Sequence, residues 1–184
     1  MQIYNKKEVL NLFIGALILG FVFSARSWGY STFNLGIGLT HLFRMFILSL
    51  IILLVYQTSH KLIAKKYHAH STFRLWHLQR FWFTKNSKFK KSIPTGIILP
   101  LFFSLISNGF IKFAAIGSSE VTSIENKRIG KKFKHLTEND LARIHLVGPL
   151  TILLLSLILI QFPGSNEMVK IAYTLAVFSM FPFS

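Results

Sequence analysis

The sequence predicts an all-α polytopic membrane protein, folded as a single integral membrane domain over residues 1–184, with a short β-hairpin near the membrane surface. Hydrophobic residues make up 52% of the chain, and the mean hydropathy is +0.49. Both values are high for an ordinary soluble domain. The apolar residues also cluster in segments that approach the roughly 20 residues a helix needs to cross a bilayer.

About four to five membrane segments are predicted, because apolar residues dominate 9–25, 35–57, 93–115, 144–162 and 168–184. The first segment is expected to be retained as a span rather than cleaved as a signal peptide. The fifth segment ends with the sequence FSMFPFS and has no polar residues beyond it. We therefore expect the structural unit to continue past Ser184.

Positive charge is the second outstanding property of the chain. Lys and Arg number 21 against 6 Asp and Glu, for a net charge of +15. The cations concentrate in Lys61–Lys91 and Lys127–Arg143, which flank apolar segments. This position favours contact with anionic lipid headgroups on the cytoplasmic side over binding of nucleic acid.

The distribution of charge also bears on segment 93–115. If all five segments crossed the membrane, the basic loops 61–92 and 116–143 would lie on opposite faces, against the positive-inside rule. A re-entrant path for 93–115 would place both loops in the cytoplasm. Four residues in or beside this segment disturb a regular helix: Pro94, Gly96, Pro100 and Gly109.

Two local patterns predict structure between the apolar segments. The stretch FIKFAAIGSSEVTSI, residues 110–124, combines β-branched and aromatic residues with turn signals, which predicts a short strand or hairpin. In TENDLARI, Thr137 is predicted to be the N-cap of a helix, with Asp140 three residues later in a capping-box position.

The candidate chemistry lies in YQTSHK, residues 56–61. A zinc-binding helix uses H-E-x-x-H, in which two histidines hold the metal and the glutamate moves the proton of the bound water. Here His60 stands four residues after Tyr56, and Gln57 takes the place of the glutamate. Tyrosine is a poor zinc ligand, and glutamine carries no charge with which to take a proton.

This motif and its surroundings resemble the archaeal-type site-2 proteases, a family of intramembrane zinc metalloproteases. After YQTSHK the agreement continues through Ala64, Lys66, Tyr67, Phe73, Arg74 and Trp76. KFAAIGSS is similar to the family's F-A-A-P-G segment, and HLVGPLTILLLSL, which contains Gly148 and Pro149, to its A-L-A-G-P-L-T-N-L-L-L span. VFSMFPFS resembles the start of the helix that carries the third metal ligand.

The resemblance implies a degenerate and C-terminally incomplete copy of that family. Tyr56 occupies the first histidine position and Gln57 the glutamate position, which leaves His60 as the one matched metal ligand. Ile152 and Ser179 replace two asparagines, and the ligand aspartate would lie beyond Ser184. None of the six acidic residues lies in the core of an apolar segment, so we expect no buried carboxylate to serve as base and no catalytic residue.

The other polar residues of the apolar and basic segments have simpler interpretations. A zinc or copper site among His60, His68, His70 and His77 is disfavoured by the neighbouring lysines, so no cofactor is expected unless the protease interpretation holds. His60 is expected to be satisfied by a hydrogen bond. His41 and Arg44 are expected near the outer interface, and Gly148 and Pro149 are assigned to helix packing.

Three functions remain open. The first is an inactive site-2-protease-like membrane protein that binds a transmembrane helix or another membrane protein without cutting it. The second is an active intramembrane zinc metalloprotease, completed by a missing C-terminal part or by a partner. The third is a small membrane adaptor that binds anionic lipid through its basic loops. All three place the chain in the cell membrane with its basic loops in the cytoplasm.

Overall fold

The computed structural model describes residues 4–28, 34–80, 88–123 and 136–180. Parts of the two basic segments, and the last residues of the FSMFPFS stretch, therefore lie outside the described residues. The helices are α1 (Lys6–Ser24), continued by a 3-10 turn at Ala25–Trp28, α2 (Leu35–Lys66), α3 (Thr95–Ile106), α4 (Glu138–Leu159) and α5 (Asn166–Met180). The strands are β1 (Ala69–Leu75), β2 (Leu78–Arg80), β3 (Lys88–Ile93) and β4 (Gly117–Ser123).

Across the described ranges the fold is mostly helical, as predicted, and three of the helices are long and apolar enough to cross a membrane. These are α1 with its 3-10 continuation, α2 and α4. Helix α3 has 12 residues, and α5 has 15 within the described ranges, both fewer than the roughly 20 that cross a bilayer. The predicted count of four to five segments is therefore not confirmed.

The core is built on an antiparallel pair of helices, α1 and α2. They approach closely at Gly20, where an added Cβ would lie 2.8 Å from the Cα of Phe46. Leu19, Ile52 and Leu53 are almost completely buried along this contact. Since α1 and α2 run in opposite directions, the N-terminal end of α1 lies beside the C-terminal part of α2.

The beginning of α4 joins the same end of the molecule. The Arg143 guanidinium approaches the Tyr67 hydroxyl at 3.5 Å, just beyond the end of α2. The predicted capping box is confirmed: the Asp140 amide donates to the Thr137 hydroxyl at 3.2 Å, and the Thr137 amide donates to the Asp140 carboxylate at 3.3 Å.

Helix α2 continues nine residues beyond the predicted boundary at Gln57, to Lys66. The predicted segment ended four residues before Lys61, the next cation after Arg44. In the folded chain Lys61 is paired with Glu8 of α1 at 2.7 Å. This pairing compensates the charge and allows the helix to continue through the polar residues.

Strand β4 forms inside the stretch where a strand or hairpin was predicted. It pairs antiparallel with β1, with Phe73 opposite Ser119, instead of folding back on its own neighbours. Buried and exposed residues alternate in β1, so one of its faces packs on the core. A separate antiparallel pair joins β2 to β3, with Leu78 opposite Ile93.

The segment 94–116 begins and ends beside the same residue, Trp76. The Gly96 amide donates to the Trp76 carbonyl, and the Trp76 amide donates to the Ile116 carbonyl, both at 2.9 Å. Between these bonds the chain runs along α3 to Gly109, which has a φ of 76° and packs against the backbone of Ala25 and Arg26. The excursion therefore reaches the C-terminal end of α1 and comes back.

Candidate functional site

A buried polar cluster surrounds Gln57, a side chain with 0% exposure. Its amide nitrogen donates to the Glu8 carboxylate at 3.0 Å and lies 3.4 Å from both oxygens of Ser71. Its carbonyl oxygen accepts a hydrogen bond from the Ser119 hydroxyl at 2.7 Å. Gln57 thus joins α1, α2, β1 and β4, and we call Glu8, Gln57, Lys61, Ser71 and Ser119 the Gln57 cluster.

Glu8, which by sequence lies outside the core of the apolar segments, is only 3% exposed and is therefore a buried carboxylate. One of its oxygens accepts from Gln57 and from the Phe73 amide at 3.2 Å. The other oxygen accepts from Lys61 at 2.7 Å. Antiparallel packing brings the first turn of α1 against α2 and β1, and the Lys61 charge offsets the cost of burial.

The geometry of Glu8 does not suit a general base. Both oxygens are engaged by donors, so neither is free to take a proton from a water molecule. The side chain is also not among those that line the cavity described below. Its contacts tie α1 to α2 and β1, which is a structural role.

Tyr56, the first residue of the YQTSHK motif, is packed against His60 and leaves no open space there. The rings of Tyr56 and His60 have centroids 4.6 Å apart, and that of His145 lies 6.3 Å from His60. His60 is 0% exposed. Neither of its ring nitrogens forms a well-aligned hydrogen bond within the described part of the chain, although the Ile144 backbone lies close enough to act on the imidazole. The hydrogen bond expected for His60 therefore stays a prediction.

Helix α4 supplies the surface against which His60 packs. A Cβ added to Gly148 would lie 2.0 Å from the Nε2 of His60 and 2.7 Å from the Tyr56 ring. Gly148 and the neighbouring Pro149 are both buried. The absence of a side chain at position 148 therefore makes room for the imidazole between α2 and α4.

The donor set at YQTSHK does not fit a zinc ion. Gln57 is held by hydrogen bonds, Tyr56 is packed on His60, and His60 provides the one imidazole of the motif. Across the described ranges, no three His, Cys, Asp or Glu residues are grouped to hold a metal. Of the other histidines considered, His68 and His70 are exposed, and the Nδ1 of His77 lies 2.7 Å from the Leu75 carbonyl oxygen.

A cavity of about 650 Å³ lies beside this packed site, between β4, α2, the first turns of α4 and the last turns of α5. Tyr56, Ser119 and His145 contribute polar groups to its wall, and Leu53, Leu175 and Phe178 contribute apolar ones. Arg74 and Glu120, which form an exposed ion pair at 2.7 Å, also line it. The mixture of groups suits a partly polar ligand.

One edge of β4 faces away from its partner strand and borders this cavity. The Phe73 amide donates to Glu8, so Phe73 and Ser119 are a non-hydrogen-bonded pair of the antiparallel ladder. The backbone N–H and C=O of Ser119 therefore point away from β1, as do those of Gly117 and Val121. All three residues line the cavity, where an extended chain segment could pair with them.

Comparisons of the chain with protein-family models, with curated proteins and with solved structures found no match. The resemblance to site-2 proteases rests on the sequence motifs alone.

Proposed function

We propose that this chain is a site-2-protease-like membrane protein without peptidase activity, which holds an extended segment of another membrane protein in the cavity beside β4. The observation that carries the proposal is the outward edge of Gly117, Ser119 and Val121 along a cavity of about 650 Å³. Within the described ranges β4 pairs only with β1, and backbone groups at such an open edge bind an added strand through main-chain hydrogen bonds.

The contacts of the motif residues support the proposed lack of activity. A hydrolytic site needs a base that can reach water, and Gln57 instead bridges Glu8 and Ser119. Glu8, the nearby buried carboxylate, is paired with Lys61. The chemistry expected of the site is therefore recognition, with polar contacts from Tyr56 and Ser119 at the cavity wall.

The proposed membrane placement uses the charges on α2. Lys61 and Arg44 are separated by about 26 Å along the helix at a rise of 1.5 Å per residue, close to the roughly 30 Å of a hydrocarbon core. Lys61 then marks the cytoplasmic interface and Arg44 the outer one. In this placement residues 94–116 form a re-entrant excursion, and the basic loops lie in the cytoplasm.

Site-specific photocrosslinking in intact membranes tests the proposal. A photoreactive residue at Ser118, which is exposed and lines the cavity, is compared with one at Leu154, which is exposed on α4 away from the cavity. We expect discrete products with a membrane protein from position 118 and none from position 154, with the partner left uncut.

Two results would contradict this function. Equal crosslinking from both positions would show that the cavity is not the contact surface. Cleavage of the partner that is abolished by a chelator would instead support the protease alternative, in which a missing segment or a partner completes the zinc site.

A further inference from the structure

Three cations lie at the end of the molecule opposite Lys61, close enough for the charges of Lys170 and Arg26 to act on Lys112. Arg26 follows α1, Lys112 lies on the return path from α3, and Lys170 lies in the second turn of α5. The Arg26 guanidinium lies 4.9 Å from the Phe110 ring centroid, and the Lys112 ammonium lies 5.0 Å from that of Phe23. These cation–π contacts hold two of the charges in defined positions.

No acidic residue within the described ranges compensates the cluster by an ion pair with Arg26, Lys112 or Lys170. Glu167, one turn before Lys170, lies 2.9 Å from the Arg44 Nε, although this contact lacks the alignment of a hydrogen bond. The charge of Glu167 is therefore directed towards α2.

Lys112 is the most constrained of the three. It is partly buried, and its pKa is lowered from the usual value by desolvation and, to a lesser extent, by the positive charges of Lys170 and Arg26. Repulsion between partly desolvated like charges opposes folding unless a counter-ion is bound. An anion at this place would remove the repulsion and gain several charge-assisted hydrogen bonds.

The position of the cluster indicates which anion is available. Gly109, at the tip of the 94–116 excursion, packs against the Arg26 backbone, and Arg44 lies at the same end of α2 as this tip. If α2 crosses the bilayer as in the proposed function, the cluster lies at the level of the outer headgroups. Lys and Arg side chains bind phosphate oxygens at such a depth.

We propose that Arg26, Lys112 and Lys170 form a binding site for a phosphate anion, supplied by an anionic phospholipid headgroup at the interface opposite the basic loops. The membrane level of this site rests on the proposed function, whereas the convergence of the three charges does not. The site is also distinct from the predicted binding of lipid by the loops 61–92 and 127–143.

The test uses the full chain in nanodiscs of phosphatidylcholine, with or without added phosphatidylglycerol, and follows thermal unfolding by tryptophan fluorescence. Lys112→Gln/Lys170→Gln is compared with Lys6→Gln/Lys7→Gln, which removes the same charge from exposed positions at the other end, outside the loops 61–92 and 127–143. We expect phosphatidylglycerol to raise the unfolding midpoint of the wild type and of the Lys6/Lys7 variant but not of the Lys112/Lys170 variant. In pure phosphatidylcholine, the Lys112/Lys170 variant should be at least as stable as the wild type, because the repulsion is relieved.

A third arm adds inorganic phosphate without phosphatidylglycerol and distinguishes the two sources of the anion. Stabilisation by phosphate alone, lost in the Lys112/Lys170 variant, would assign the site to a soluble phosphate compound. Equal stabilisation of both variants by phosphatidylglycerol, or lower stability of the Lys112/Lys170 variant in both lipids alike, would overturn the proposal. A midpoint of the wild type that responds to neither anion would also overturn it.

Discussion

Gln57 shows how one residue can give a site a structural role in place of a catalytic one. The side chain of glutamine both donates and accepts, and the fold uses both capacities: the donor faces Glu8 and the acceptor faces Ser119. A glutamate at this position would have no donor to offer Glu8. The two residues therefore act as a matched pair, with the acid on α1 and the amide on α2.

Restoring a glutamate at position 57 should destabilise this chain. In Gln57→Glu a second carboxylate would lie about 3.0 Å from that of Glu8, inside a buried cluster with the single cation Lys61. We expect a loss of about 2 kcal/mol in the free energy of unfolding, since a good hydrogen bond is replaced by repulsion between buried charges. Denaturation in detergent, followed by tryptophan fluorescence, measures the loss.

The exchange variant Glu8→Gln/Gln57→Glu provides the matched control. It keeps one acid, one amide and Lys61 in the same cluster, so much of the lost stability should return. If Gln57→Glu unfolds at the wild-type midpoint, or if the exchange variant is less stable than both single variants, the two side chains do not form the pair described above.

Gly148 is the second residue at which a small change has a clear expected result. An alanine Cβ would overlap the His60 ring, with a separation of 2.0 Å from Nε2. Gly148→Ala should therefore lower stability by about 2 kcal/mol or more through overpacking between α2 and α4. Thermal unfolding in detergent is the measurement.

The control for this substitution is Gly36→Ala, in the first turn of α2. Its nearest contact would be the Asn34 side chain at 3.5 Å, an ordinary van der Waals distance. Alanine is also the better helix former, so Gly36→Ala should be neutral or slightly stabilising. Equal losses from both alanines would mean that the loss at position 148 does not come from contact with His60.

The residues of the Gln57 cluster illustrate what the sequence could and could not predict. Positions 56–61 are identifiable from their spacing on one helix, since that spacing is local. Their partners are not: Glu8 is 49 residues from Gln57, and Ser119 is 62 residues from it. Glu8 belongs to a charged flank by composition, and its burial depends on a helix packing that no local pattern encodes.

At the level of elements, helix starts were more predictable than strand pairing. The capping box at Thr137 needs only residues three apart and is found as predicted. The pairing of β1 with β4 depends on the excursion of 94–116, whose two ends meet at Trp76. A strand was predicted from residues 110–124, but its partner could not be inferred because more than 40 residues separate the two strands.

The cap of α4 can be tested on its own. Thr137→Ala removes the hydroxyl that accepts from the Asp140 amide, and N-cap losses of this kind cost about 1 kcal/mol. We expect faster hydrogen exchange of the first-turn amides at residues 139–141. The exchange of α5 should be unchanged.

Thr174→Ala is the companion variant, because the Thr174 hydroxyl donates to the carbonyl one turn earlier in an exposed part of α5. Such a bond satisfies no free amide at a helix start, so its removal should have little effect. Similar protection in Thr137→Ala and in the wild type would show that water replaces the cap.

At the level of the whole molecule, the charged residues and the path of the chain define the same two ends. Lys61 and the beginning of α4 lie at one end, and Arg44 with the turn before α5 lies at the other. Composition could predict a membrane protein with charged ends. It could not count the crossings, because a 12-residue helix followed by an extended return has the same apolar content as a span.

Cysteine labelling can decide the path of 94–116, since the chain has no cysteine of its own. Single cysteines are placed at Lys65, at Ile106 near the tip of the excursion, and at Gln161 after α4. All three positions are exposed. An impermeant maleimide added to oriented vesicles should label Ile106→Cys and Gln161→Cys from one side, and Lys65→Cys from the other. This pattern is expected because Gly109 packs at the C-terminal end of α1, whereas both ends of the excursion are bonded to Trp76.

If Ile106→Cys is labelled from the same side as Lys65→Cys, the excursion turns back before the outer interface. The phosphate site proposed for Arg26, Lys112 and Lys170 would then not lie at the level of the outer lipid headgroups. The proposal that the edge of β4 binds a partner segment would be unaffected.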